Sequence, residues 1–180
     1  MIDVTANRYA DALFQLSEEE NITEKIYSEL HDVVDIVKNN KDLENVLKSP
    51  LISKIEKVEL IEQLFSNKIN NHLKNFLKIL VEKGRINSLK TIELTFKQLL
   101  NDKNNIIEGT VVSAIPMSDE KIKQLESNLS KKYNKNVTLE NKVDKTILGG
   151  VLVRLGNTQI DGTVKTRLDN IKDQLSQVIS

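Results

Sequence analysis

The sequence predicts an α+β chain. An N-terminal antiparallel six-helix bundle is expected over residues 1–104, followed by a small αβ domain over 105–180 in the order β-α-β-β-β-α. Three observations carry this. No glycine occurs between Met1 and Lys83, and five of the six glycines fall at or after Gly109, so turn-forming residues are concentrated in the second part. Up to Leu100 the apolar residues recur at helical spacing. From Ile106 several stretches alternate apolar with polar residues, as half-buried strands do.

The first helix is expected from Thr5 to Glu19, with Ala6, Tyr9, Ala10 and Leu13 as its core stripe. Ala12 and Leu16 extend the apolar surface to another side, and a helix apolar around so much of its circumference is deeply buried or touches two things. The second helix, Thr23 to Val37, has one stripe of Ile26, Leu30, Val33, Val34 and Val37, preceded by Ile22. A short third helix, Asp42 to Lys48, turns Leu43, Val46 and Leu47 inward, and Ser49-Pro50 ends it. Ser53-Lys54-Ile55-Glu56 is a capping-box pattern opening the fourth helix, with Ile55, Val58, Ile61, Leu64 and Phe65 following. The fifth helix, Asn70 to Lys83, carries Leu73, Phe76, Leu77, Leu80 and Val81, with Ile79 off that stripe and Gly84 suited to end it. The sixth, Ser88 to Asn101, carries Leu89, Ile92, Phe96, Leu99 and Leu100.

Asp102 to Asn105 reads as a short polar linker. A strand is expected from Ile106 to Ile115, with Ile107, Val111 and Ala114 facing inward and Pro116 as its stop. Ser118 caps a helix with Asp119 and Glu120 in its first turn, where acids suit the dipole. Ile122, Leu125 and Leu129 are its buried face. Val137, Leu139 and Val143 alternate with polar residues in a second strand, and Val151, Val153 and Leu155 do so in a third. Gly149-Gly150 permits a turn or a close backbone approach. Asn157 lies where a hairpin reverses after Gly156. Asp161-Gly162-Thr163 reads as a turn and an N-cap, followed by a helix with Val164, Leu168, Ile171, Leu175 and Val178.

Composition excludes several classes of function. The chain has 180 residues and no cysteine, which removes disulfides, thiolate metal sites and cysteine nucleophiles together. Its 26 basic and 26 acidic residues balance. The balance holds locally, with 17 acids and 15 bases up to Asn104 and 9 and 11 beyond it. Neither part has the excess expected of a nucleic-acid binder. No apolar run approaches the ~20 residues of a membrane span, and the first residues lack the basic and apolar parts of a signal peptide, so a cytoplasmic protein is expected. The sequons at Asn21, Asn128 and Asn136 therefore read as chance. No phosphate loop, dinucleotide fingerprint, GxSxG or HExxH occurs. His31 and His72 are far apart, and no carboxylate pattern frames either as a metal ligand. No cofactor, metal, small-molecule ligand or catalytic residue is expected. Arg154, charged within a valine-rich strand, either meets a partner or marks the solvent face.

The C-terminal motifs resemble the delta subunit of F-type ATP synthases, the family that includes the mitochondrial oligomycin-sensitivity-conferring protein. The matching residues are Asp144, Ile147-Leu148-Gly149-Gly150, the valine-rich strand with Arg154 and Gly156, and Ile160-Asp161-Gly162-Thr163 before Arg167-Leu168. Lys145 and Thr163 depart from the usual proline and serine, and both fit a turn and a cap. Arg8-Tyr9-Ala10, Ala12-Leu13-Phe14, Glu82-Lys83-Gly84-Arg85 and Val112-Ser113-Ala114 with Pro116 extend the resemblance along the chain.

The resemblance implies a non-catalytic stator subunit that links the F1 head to the peripheral stalk, held peripherally at the cytoplasmic face of a bacterial membrane. It implies that the N-terminal helix of an alpha subunit lies between the first and fifth helices, at Tyr9, Ala12, Leu16 and Ile79. It implies that the C-terminal domain engages the b subunits, supported by Asp144, Gly149, Gly150, Arg154, Gly156, Asp161 and Gly162. The competing expectation is a helical-bundle RNA-binding protein of the antitermination type, which the charge balance disfavours.

Overall fold

The structure, a computed structural model, describes residues 4–66, 68–156 and 158–179, with side chains up to residue 172. Among these residues the chain is α+β, with eight α-helices and four strands in two compact units, 1–100 and 101–180. The first unit contains α1 (Val4–Glu19), α2 (Thr23–Asn39), α3 (Lys41–Lys48), α4 (Lys54–Phe65), α5 (Asn71–Glu82), a single 3₁₀ turn (Ile86–Ser88) and most of α6 (Leu89–Lys103). The second contains β1 (Ile106–Ser113), α7 (Asp119–Tyr133), β2 (Asn136–Val143), β3 (Val151–Leu155), β4 (Thr158–Asp161) and α8 (Val164–Ile179).

One apolar cluster fills the first unit. Ala6 and Ala10 of α1, Ile26 and Leu30 of α2, Ile61 of α4, Leu73 and Leu80 of α5, and Ile92 and Phe96 of α6 are all but inaccessible. Each large aliphatic or aromatic side chain so buried contributes about 1.5–3 kcal/mol. Phe96 ties three helices together: its ring meets Phe14 edge-on at 5.4 Å and stacks on Tyr27 at 6.4 Å. Polar groups in this core have partners. Ser17 donates to the Phe14 carbonyl at 2.7 Å. The buried Glu93 carboxylate meets His31 Nδ1 at 3.1 Å.

Local sequence explains the helix ends. Ser53 and Glu56 form the reciprocal capping box, and Asn40 Oδ1 accepts from the Leu43 N–H at the start of α3. At the end of α5, Gly84 has φ +65°. There the Gly84 N–H donates to Val81 O and the Arg85 N–H to Leu80 O, the two bonds of a Schellman stop.

In the second unit the strand order is β2-β1-β3-β4. β1 and β2 are parallel, joined by the α7 crossover, and the other two pairings are antiparallel. One sheet face buries Val111, Val137, Leu139, Val153 and Leu155 against Leu129, Ile122 and Leu125 of α7. Gly109 stands in register between Leu139 and Leu155. A Cβ there would lie 2.4 Å from Leu155 Cδ2 and 2.7 Å from Arg154 O, so the two leucines close over a position only glycine can occupy. The outer edge of β2 is blocked by α7: the Val137 N–H donates to Ser130 Oγ and the Leu139 N–H to Glu126 Oε1. Such capping prevents strand addition at an open edge.

Several expectations need correction. On α4 the inward positions are Lys57, Ile61 and Phe65, while Ile55 is 72% exposed. Lys57 Nζ donates to the Ser49 carbonyl at 2.6 Å, so the lysine, which the apolar pattern of α4 did not mark as inward, neutralises the C-terminal end of α3. The sixth helix starts with a 3₁₀ turn and runs to Lys103, taking up part of the expected linker. β1 ends at Ser113, not Ile115. Ser113 occupies the inward position, accepts from Asn141 Nδ2 and donates to Ile115 O, and these side-chain bonds replace further pairing. Val143, at the strand end, is exposed. Ser118 makes no side-chain cap on α7; its carbonyl accepts from the Lys121 and Ile122 N–H groups. The turn expected at Asn157 and the side chains of Leu175 and Val178 lie outside the described residues.

Candidate functional site

Two contacts set α1 beside α5. The Tyr9 ring meets Phe76 edge-on at 6.3 Å, and Glu20 Oε1, just beyond α1, meets His72 Nε2 at 2.9 Å. The contact further along the chain from α1, at Glu20, is the one nearer the start of α5, at His72, so the two helices run antiparallel. At about 100° per residue, Leu16 and Ala12 stand within about 60° of Tyr9 on the side of α1 away from Ala10 and Phe14. By the same geometry Ile79 stands about 60° from Phe76, away from Leu77 and Val81. Leu16 is 36% exposed and Ile79 44% exposed, Ala12 is exposed and Tyr9 half-buried. The four residues named from the sequence therefore border one seam, on the outer flanks of two adjacent helices. Ala12 places only a methyl group there, leaving room for close helix approach.

In the second unit Gly149, Gly150, Asp161 and Gly162 form a junction that fixes the start of α8. Gly150 has φ +80°, and a Cβ on it would lie 2.3 Å from Gly162 O and 2.8 Å from Thr163 Cα. The close backbone approach that the glycine pair permits is present, and Gly150 has a positive φ besides. The Gly162 N–H donates to Val151 O at 2.9 Å and the Val164 N–H to Gly149 O at 3.0 Å. The Gly149-Gly150 loop thus lies flat against the Asp161-Gly162-Thr163 turn. Asp161 Oδ1 accepts from the Thr163 N–H at 2.8 Å and Oδ2 from Thr166 Oγ1 at 2.9 Å, while the Thr166 N–H donates to Thr163 Oγ1 at 3.4 Å. The bond from the Thr163 backbone, with those from the Thr163 and Thr166 side chains, holds the Asp161 carboxyl below its ordinary range. Asp144 closes a similar turn: Thr146 Oγ1 donates to its Oδ1 at 2.7 Å and the Thr146 N–H at 2.9 Å. The hydroxyl, then the amide, holds this carboxyl low as well.

Gly156 and Arg154 stand apart from that junction, and Gly149 joins it through its carbonyl without strain. Gly149 has ordinary φ and ordinary surroundings apart from Val164 Cγ2, 3.2 Å from its ideal Cβ. Gly156 has φ +53° with open space around it. Arg154 is exposed on the sheet face opposite the core, between Thr110 and Gln159. Asp144 and Arg154 do not meet Asp161 in any described contact.

The sequence did not single out a second apolar surface that the structure displays. Val164, Leu168 and Ile171 of α8 are 42%, 58% and 52% exposed, and Leu148, beside the Gly149-Gly150 loop, is 83% exposed. The apolar stripe of α8 was legible, but which way it faces was not. Among the described residues no helix is long and apolar enough to cross a membrane. No group of three His, Asp or Glu side chains is arranged to hold a metal ion among them.

A helical unit with an exposed two-helix seam, followed by a mixed sheet whose last helix carries an apolar stripe left exposed among the described residues, is the architecture of an adaptor subunit. The sequence profile of the ATP synthase delta (OSCP) subunit family matches residues 5–175, and the chain belongs to that family. It is 64% identical to ATP synthase subunit delta of Clostridioides difficile (strain 630), over 100% of both chains. It is 41% identical to the same subunit of Alkaliphilus metalliredigens (strain QYMF), over 99% of each chain. In structure it resembles a chain of the Toxoplasma gondii mitochondrial ATP synthase hexamer, with a TM-score of 0.69 at 26% identity, covering 94% of this chain and 96% of that one. A chain of the Polytomella F-ATP synthase shares the fold over 56% of this chain and 89% of its own, with a TM-score of 0.52 at 18% identity. The antitermination-type alternative has no support in these matches.

Proposed function

We propose that this chain is the non-catalytic stator subunit of an F1Fo ATP synthase, tying the F1 head to the peripheral stalk so that ion-driven rotation is coupled to ATP synthesis. Its first domain, 1–104, acts as an antiparallel six-helix bundle and receives the N-terminal helix of an alpha subunit along the α1–α5 seam. Tyr9, Ala12, Leu16 and Ile79 line that seam. Its second domain, 105–180, of order β-α-β-β-β-α, engages the b subunits through the apolar stripe of α8. Asp144, Gly149, Gly150, Arg154, Gly156, Asp161 and Gly162 are the coupling motif of that domain. The Gly150–Gly162 junction sets the start of α8, while Arg154 is left free on the outer sheet face to meet a partner. The protein is held peripherally at the cytoplasmic face of the cell membrane through its partners.

The observation that carries this reading is the pair of uncovered apolar surfaces, one in each unit. Exposed apolar stripes on amphipathic helices are the usual seats of partner helices. Covering the exposed half of each of Val164, Leu168 and Ile171 is worth roughly 1 kcal/mol, enough together for a specific but separable contact. A torque-resisting joint needs two such contacts on one chain and no chemistry of its own.

Affinity purification from the native membrane tests the reading. The tagged chain should bring down alpha and b subunits together. Leu168→Ser should lose b while keeping alpha, and Ala12→Asp should do the reverse. Loss of both partners from either variant, with unchanged melting, would refute the assignment of one partner to each unit.

A further inference from the structure

A cavity of about 300 Å³ opens between the ends of α2 and α3 and the start of α6. It shares no residue with the α1–α5 seam or with α8. Its floor is apolar: Val34 and Leu89 are buried there, and Val37 and Ile86 half-buried. Its rim carries Lys38, Lys48, Lys90 and a single acid, Glu44. Lys48 and Glu44 satisfy each other at 2.5 Å. Lys38 and Lys90 are exposed and form no ion pair among the described residues. In a chain whose 26 bases and 26 acids cancel, this leaves two exposed cations without an ion-pair partner among the described residues on the lining of an apolar-floored cleft.

Solvation alone accounts for a lone exposed lysine. It does not account for an apolar depression left open between two of them. The volume is at the small end of ligand pockets, roughly 300–1,000 Å³. It has room for one large side chain and a little flanking backbone, and a positive rim selects an anionic partner over a neutral one. Asn87 and Thr91, also on the lining, offer uncharged hydrogen-bonding groups to a peptide backbone. We infer that this cleft docks an acidic peptide segment, with one large apolar anchor residue in the cavity and flanking carboxylates on Lys38 and Lys90. The inference is independent of the stator reading, since it uses neither proposed interface.

The test uses the full chain, isotope-labelled, titrated with acetyl-Glu-Asp-Leu-Phe-Glu-Asp-amide and followed by amide chemical shifts. Shifts should centre on Lys38, Lys48, Asn87, Lys90 and Thr91. The Lys38→Glu/Lys90→Glu pair should weaken binding by about tenfold, and so should replacing the peptide's acids with Gln and Asn. Lys38→Gln/Lys90→Gln should give a smaller loss, and Lys121→Glu/Lys123→Glu on α7 none. Both cleft lysines are exposed, so melting of these variants should match the parent. Unchanged affinity in the Lys38/Lys90 pairs would overturn the inference, as would equal binding of the neutral peptide, no binding, or shifts confined to α1 and α5. Co-sedimentation of the parent, but not the reversal pair, with phosphatidylglycerol vesicles would reassign the cleft to a membrane surface and overturn the peptide inference.

Discussion

Replacing Gly150 with alanine should be the most damaging single-methyl change at the α8 junction. At φ +80° an L side chain costs on the order of 1 kcal/mol. The new Cβ would also lie 2.3 Å from Gly162 O, a backbone atom that cannot swing aside as a side chain would. The loop and turn must separate. That endangers the Gly162 N–H bond to Val151 O and the Val164 N–H bond to Gly149 O, each worth about 1 kcal/mol net. The sum is about 3 kcal/mol. For a unit of this size that corresponds to a fall in melting temperature of roughly 12–24 °C.

Neighbouring glycines provide internal controls. Gly156→Ala meets the φ penalty alone, since nothing lies within 4 Å, and should cost about 1 kcal/mol. Gly149→Ala has no φ penalty and one 3.2 Å neighbour, Val164 Cγ2, and should cost less still. Thermal melting of the three variants in the full chain, with hydrogen exchange to assign the loss to residues 101–180, measures the order directly. A Gly150→Ala protein that melts with the parent, or above Gly156→Ala, would show that the close approach to Gly162 does not constrain the fold.

Gly109→Ala should destabilise the sheet by about 1–3 kcal/mol through overpacking against Leu139 and Leu155, read as a lower urea midpoint without loss of helix signal from α1 to α6. In titrations with a synthetic alpha N-terminal peptide, Ala12→Asp should abolish binding and Ile79→Ala should weaken it by about 1–2 kcal/mol; normal binding by both well-folded variants would remove the peptide from the α1–α5 seam. Asp144 and Asp161 have folded pKa values below their ordinary 3.8, so the unfolded chain takes up protons first. Their contribution is therefore complete above that value and lost as pH falls through the lower folded values; Asp161→Asn should flatten that part of the acid-unfolding curve.

The sequence by itself determined the elements and most of their stops. Helical periodicity up to Leu100 identified the stripes that became the first core, because an amphipathic helix has only one way to bury its apolar side. Ser53 with Glu56, and Gly84, marked ends whose chemistry is local, so no distant residue was needed to read them. Gly150 was legible as unusual for the same reason. The off-stripe residues Ala12, Leu16 and Ile79 were legible as surplus apolar surface, although their placement beside one seam follows from the Tyr9–Phe76 and Glu20–His72 contacts.

Tertiary structure decided what depended on partners distant in sequence. Lys57 takes a core-facing position on α4 because the C-terminal end of α3 arrives there with an unpaired carbonyl, which periodicity cannot foresee. β1 stops at Ser113, whose hydroxyl accepts from Asn141 on the neighbouring strand and donates to Ile115 O, taking up a carbonyl that a continued strand would pair. Gly109 is obligatory because two leucines from different strands meet over it, a consequence of register and not of local conformation. The exposure of Val164, Leu168 and Ile171 was decided in the same way. An apolar stripe states that something covers it, and only the packing of the remaining elements shows that, within this chain's described residues, nothing does.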